Sequence, residues 1–360
     1  MKSLTQITDP VFIPSENKSK TDRLFISLIN DERDLPFVYL TIYISLSLVP
    51  LGILLYMPFV GGWLWWVVAA AYQYFNNFVF KGPFGLMLHC TSHRKLYKDE
   101  YSFLNKYLPW VVGPFFGQTP ETYFTHHIGM HHPENNLPED RSTTMPYQRD
   151  SFKGFLHYFG DFFFLGIPRL IGYFMKKNRR KLMIQLIKGE LIFIAACVLL
   201  SFYNWPATLV VFIIPFLISR IIMMLGNWAQ HAFIDGNDPG NAYKNSITCI
   251  NTKYNHKCWN DGYHISHHIR PAMYWTEHPV FFQKTLQKYI DNKAIVFDGI
   301  HFLHVSIWLM AGRYDLLAKN FVNLGDQYSS DEEIIAFLKS RTKKINVQVG
   351  VPIPVAVRAA

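Results

Sequence analysis

The chain has 360 residues, half of them hydrophobic, yet its mean hydropathy is only +0.06 and its formal net charge is +9. That balance excludes a polytopic transporter with short loops and suits a few membrane spans joined to a large polar portion. No compact aromatic-basic module accompanies the positive charge, which argues against a nucleic acid partner. The four cysteines (Cys90, Cys197, Cys249 and Cys258) form no C-x-x-C pair, which argues against a disulfide framework or a zinc ribbon.

Residues 1–36 are polar and charged, carry no cleavable signal peptide and read as a cytosolic tail. Residues 37–58 hold no charge and are long enough as a helix to cross a ~30 Å hydrocarbon core. Gly61-Gly62 breaks the run, and a second apolar stretch, 63–80, returns to Lys81, predicting a tight transmembrane hairpin. Gln73, Asn76 and Asn77 lie within it and should face protein or a cavity rather than lipid. Residues 107–117 are too short to span and predict an interfacial or re-entrant piece, and 152–174 an aromatic surface helix. A second hairpin is predicted from 189–204 and 207–226, which flank Trp205-Pro206. The cluster Lys176-Lys177-Asn178-Arg179-Arg180-Lys181 lies on the same side as Lys81, Arg94, Lys95 and Lys98, and the positive-inside rule makes that side cytosolic. Residues 294–310 predict an amphipathic helix, and 346–360 a loose tail. The fold class is therefore all-α, with four transmembrane helices in two hairpins and a cytosolic helical cap, the whole domain running over 37–345.

Fifteen histidines are present, and their spacing is informative. His89 and His93 stand at i, i+4, as do His127 and His131, with His132 adjacent. His264, His267 and His268 stand at i, i+3, i+4, and Asn227 and His231 again at i, i+4. Such spacings share one helix face, so each segment can aim its imidazoles at one point. His89 follows the second span and His231 the fourth, so both hairpins deliver ligands to one membrane face. Neutral imidazole suits iron, zinc, copper and nickel. Nine ligands exceed the four of a tetrahedral ion and the six of an octahedral one, and fit two ions with open positions.

His126 lacks an i, i+4 partner and reads as a supporting or surface residue. His157, His256, His278, His301 and His304 read as packing or loop residues outside the centre. A ligating histidine usually donates its second N–H to a carboxylate or carbonyl. Asp261, three residues before His264, is the leading partner, followed by Glu139, Asp140 and Asp235.

The HxxxH, HxxxHH and HxxHH boxes, in this order, resemble those of the membrane fatty acid desaturases and related hydroxylases over roughly residues 37–310. Asn227-x-x-x-His231 is similar to the extra ligand pair of acyl-CoA desaturases, in which the histidine binds an iron and the asparagine reaches one through water. Asp261-Gly262-Tyr263-His264 is similar to the lead-in to their third box. The resemblance implies two non-haem irons, O2 as co-substrate and two electrons. It implies insertion of a cis double bond into the acyl chain of a membrane lipid or acyl-CoA. For a eukaryotic chain it implies the endoplasmic reticulum. His264 stands where the front-end subgroup has Gln, which disfavours that subgroup. No His-Pro-Gly-Gly haem motif occurs, so electrons would come from a separate donor, cytochrome b5 with its reductase or a ferredoxin.

Two other readings compete. A hydroxylase or ketolase of the same superfamily, acting on acyl, sphingoid, alkane or carotenoid chains, would share the first hydrogen abstraction. A metal transporter or storage protein would carry its ligands inside the spans, whereas here they lie outside them.

Overall fold

The computed structural model describes residues 1–346 and is mostly helical. Apart from Asn346, the tail expected over 346–360 lies outside the described residues. The chain divides into two units. One, here the helical unit, takes Phe12–Ile128 and Tyr173–Ile221; the other, the mixed unit, takes Met1–Val11, Gly129–Gly172 and the chain from Ile222 on.

Among the described residues, two helices are long and apolar enough to cross a membrane, Glu32–Leu54 and Arg180–Gln230. The first contains the regular helix Leu35–Leu54, with a proline in its first turn, where the missing N–H leaves no bond unmade. After the turn at Gly61-Gly62, where Gly62 has φ +60°, a second helical run follows. It passes from Gly62–Tyr74 through a π-helical turn, Phe75–Phe80, into Lys81–His93. His89 and His93 thus ride on the same rod as the second expected span. In the 180–230 run, Asn204 leaves helical backbone (φ −154°, ψ 92°), one residue before the predicted Trp205-Pro206 break. The two turns meet: Tyr56 stacks on Tyr203, and its hydroxyl donates to Thr208 Oγ1 at 2.9 Å.

The polar side chains of the second run find partners inside the unit, as expected. A π-helical turn at Leu209–Ile213 disturbs the regular ladder, and Gln73 Nε2 donates to Val210 O there at 2.7 Å. Asn76 Nδ2 donates to Phe115 O at 2.7 Å, and the Tyr72 hydroxyl lies 2.9 Å from the carbonyl oxygens of Phe115 and Val211. The 107–117 piece therefore packs among the helices, with Phe116 stacked on Phe84 at 4.2 Å. Large apolar side chains such as Phe78 (81% exposed) and Phe202 (86%) face outward, which suits contact with lipid.

The mixed unit corrects two expectations. It holds a two-stranded parallel sheet, β1 (Ile247–Ile250) with β2 (Ile295–Asp298), paired Ile247 to Ile295, so the fold is not purely helical. The helix expected over 294–310 is shortened to Phe302–Met310 by that second strand. Ile295, Val296 and Phe297 are β-formers buried on both faces, so their apolar run carries no period that separates strand from buried helix. The core forms where Phe233, Cys249, Phe297, Val305, Leu309 and Leu317 meet. Residues 1–11 pack into this unit: Lys2 N donates to Phe321 O at 2.8 Å, and Asn323 N to Lys2 O at 2.9 Å. The aromatic stretch after Ser151 forms the helix Phe152–Lys176, as expected.

Candidate metal centre

In the mixed unit, His131, His231, His264 and His268 converge, with one ligand nitrogen from each lying within 4.8 Å of the others. His264 Nε2 is 3.2 Å from His231 Nε2 and 2.9 Å from His268 Nε2. His264 and His268 share a face of the short helix His264–Ile269, as their i, i+4 spacing predicts.

Two members of this quartet are held from behind. His131 Nδ1–H donates to Asp140 Oδ2 at 2.7 Å. The Asp140 carboxylate is buried and also accepts from Asn136 N, Ser142 N and Ser142 Oγ at 2.7–2.9 Å. His231 Nδ1–H donates to Asn245 O at 2.9 Å, while Thr144 Oγ1 donates to His231 O at 2.7 Å. Asn136 Nδ2 donates to Asn245 Oδ1 at 2.9 Å and ties these supports together. The two Nδ1–H bonds fix the tautomer, so the Nε2 lone pairs of both rings are left to face inward. Burial and the neighbouring His131 push the His231 imidazole down to about 4, keeping it neutral, as a ligand must be.

These residues fit a transition-metal ion. Bonds of about 2.1 Å place ligand nitrogens about 3.0 Å apart at right angles and about 3.4 Å apart at the tetrahedral angle. The observed 2.9 and 3.2 Å separations match.

The sequence expectation that each box serves one point is corrected. His267 turns away from His264 and His268, and its Nε2 lies 2.9 Å from His132 Nε2. Adjacent His131 and His132 diverge in the same way. The backbone over His127–His131 is a π-helical turn, which changes the angle per residue from the α-helical one the spacing argument assumed.

Within the helical unit, His89, His93 and His127 form a second group, with ligand nitrogens within 4.8 Å of one another. His93 Nε2 and His127 Nε2 lie 3.0 Å apart, and Tyr123 stacks on His127. The segment leading to His127 is clasped. Thr119 and Thr122 each donate to Glu190 Oε1 at 2.6 Å. Glu121, at φ +65°, accepts from Lys106 Nζ at 2.7 Å and Trp110 Nε1 at 2.6 Å. Gly189 is required there, because a Cβ on it would stand 1.7 Å from Pro120 O.

The remaining sequence candidates are placed as follows. Asn227 Nδ2 donates to Ser142 O at 3.0 Å and to the Tyr158 hydroxyl at 2.6 Å. Asp261 accepts from the Tyr254 hydroxyl at 2.8 Å, and Asp235 pairs with Arg341 at 3.0 Å. His278 is buried, its Nδ1 2.7 Å from Ser266 Oγ. His301 stacks on Tyr254 and meets the His304 ring edge-on. His157 and His256 are exposed. Sequence reasoning missed Asn245, Asn136 and Thr144. The consecutive αL residues Asn135 and Asn136 belong to a turn that the Asn-Asn-x-Pro composition could have marked.

Fold and site together define a helical protein with long apolar helices and buried histidine clusters fitted to metal. The sequence model described as fatty acid desaturase matches residues 64–298, and the chain belongs to that family. Searches of curated proteins and of solved structures return no match. Membership makes the protein a membrane-associated oxidoreductase of the desaturase and hydroxylase superfamily, acting on fatty acyl chains, and the family is typically iron-dependent.

Proposed function

We propose that this protein is a multi-pass membrane desaturase, inserting a double bond into the acyl chain of a membrane lipid or acyl-CoA with O2 and two electrons. The nine histidines, His89, His93, His127, His131, His132, His231, His264, His267 and His268, hold two iron ions, with Asn227 reaching one through water. Bound irons supply the activation of O2 needed to take hydrogen from an unreactive CH2.

The observation that carries this reading is the quartet His131, His231, His264 and His268 with its support. Asp140 and Asn245 hold two rings in one tautomer and one direction. Burial keeps the His231 imidazole neutral and excludes water from the site. Four spans, from two hairpins that turn at 58–63 and 204–207, would keep the histidine-bearing ends on the cytosolic side. The electron donor in this reading is a separate protein, cytochrome b5 with its reductase or a ferredoxin.

The test is to express the chain in a desaturase-deficient host and to profile total lipids by mass spectrometry, beside iron analysis of the purified protein. Two irons, O2-dependent turnover and products lighter by two hydrogens are expected. A gain of one oxygen would instead assign hydroxylation. A single zinc with no O2 uptake would overturn the reading.

A further inference from the structure

The segment before residue 12 does more than precede the first helix. Asp9 is buried, and its carboxylate receives three hydrogen bonds from residues over 240 positions away along the chain. Asn251 N donates to Oδ2 at 2.7 Å, Asn255 Nδ2 to Oδ1 at 3.0 Å, and the Tyr263 hydroxyl to Oδ2 at 2.7 Å. Tyr263 is the residue immediately before His264. Asn255, fully buried, accepts from Gly262 N through its Oδ1 at 3.0 Å and donates to Cys249 O at 2.9 Å. Both residues leading into the third histidine box therefore rest, directly or through one amide, on Asp9.

The backbone there needs that support. Asn251, Trp259 and Asn260 all sit at φ +53 to +54°, the left-handed region that residues other than glycine rarely adopt. Asn260 Nδ2 donates to Pro10 O at 2.7 Å, so the neighbouring residue of the same segment clamps the strained turn. Gly262 is hemmed in as well: a Cβ would meet Cys249 O at 2.3 Å and Asn255 Oδ1 at 2.4 Å. A short helix of six residues, His264–Ile269, has little stiffness of its own. Its starting point is set by what holds 260–263.

We propose that Asp9 is a positioning residue of the metal centre, setting the orientation of His264 and His268 through Tyr263, Asn255 and Gly262. This rests on the reading of the quartet as a metal site. Asp9 acts as an acceptor of three donors at once, a role that asparagine cannot fill because its amide nitrogen donates.

The test uses the full-length protein in detergent, stripped of metal and titrated with cobalt(II), whose visible ligand-field bands report ligand arrangement independently of turnover. Asp9→Ala and Asp9→Asn are expected to weaken cobalt binding about threefold to tenfold, less than the 10- to 100-fold typical of groups bonded directly to a ligand, and to shift the bands. Tyr263→Phe removes one hydroxyl and preserves packing, so it reports even if the Asp9 variants fold poorly. It should give the same shift at reduced size, and Asp9→Asn with Tyr263→Phe should be no worse than Asp9→Asn alone. Lys2→Ala is the control: it loosens the same segment by removing the 3.0 Å pair with Asp298, and should leave the bands unchanged. Variants of Asp9 and Tyr263 that melt at lower temperature yet bind cobalt with wild-type affinity and bands would overturn the proposal. Wild-type protein that binds no cobalt would overturn the metal reading along with it.

Discussion

The two units hold their histidines by different means. In the helical unit, His89 and His93 extend a helix that begins at Gly62, so their placement follows from a rod set by apolar packing. In the mixed unit, no helix of comparable length carries a ligand of the third box. His131 and His231 are aimed instead by Asp140 and Asn245, and His264 by the turn before it. One group is positioned by secondary structure, the other by buried polar bonds between segments distant in sequence. Damage to the first should show as lost folding, and damage to the second as lost metal in a folded protein.

The largest expected effect puts both groups on equal footing. His89→Ala and His131→Ala should each abolish activity, by at least about 100-fold, and lower bound iron. Full activity in either would remove that residue from the ligand set. Next, Gly189→Ala drives a methyl into Pro120 O and should destabilise the helical unit by about 3–5 kcal/mol, read as a fall in melting temperature or in monodisperse yield. Asp140→Asn should leave the fold in place and reduce metal affinity about 10- to 100-fold, measured by competition with a chelator. Unchanged affinity would break the claimed contrast between the units.

A pH effect belongs to the mixed unit. In metal-free protein His231 takes its proton only at about 4, whereas unfolded it does so near 6.5. The unfolded chain then binds more protons between those values, so stability rises with pH across that window and is lost as pH falls. Melting curves of chelator-treated protein between pH 7 and 4 should show the decline, and His231→Gln should flatten it. The smallest effect is expected at His301→Ala, which should keep metal content within about twofold of wild type, since its ring stacks on Tyr254 and meets His304 edge-on.

Much of this was legible in the sequence because it depends on local spacing. The turns at Gly61-Gly62 and Trp205-Pro206, and the pairing of His264 with His268, follow from composition and helical period. The division of the third box did not, because i+3 and i+4 neighbours differ by a rotation that only the surrounding walls select. Strand β2 was hidden by an apolar run without period. Asn245 and Asp9 were hidden because side-chain bonds across 14 and over 240 residues leave no mark on local pattern.

The anchoring of Asp9 has a topological consequence. Residues 1–11, 129–172 and 222–346 fall in one unit, so the chain leaves it after residue 11 and after residue 172 and returns to it each time. In the four-span topology proposed above, each excursion would cross an even number of times. On the proposed topology a crossing at Glu32–Leu54 would be followed by a return before residue 129, and the 51-residue run Arg180–Gln230 would go out and come back. On the proposed topology the turns near Gly61 and Asn204 would share one side of the membrane, and reporters inserted at either turn are expected to be labelled by the same impermeant reagent.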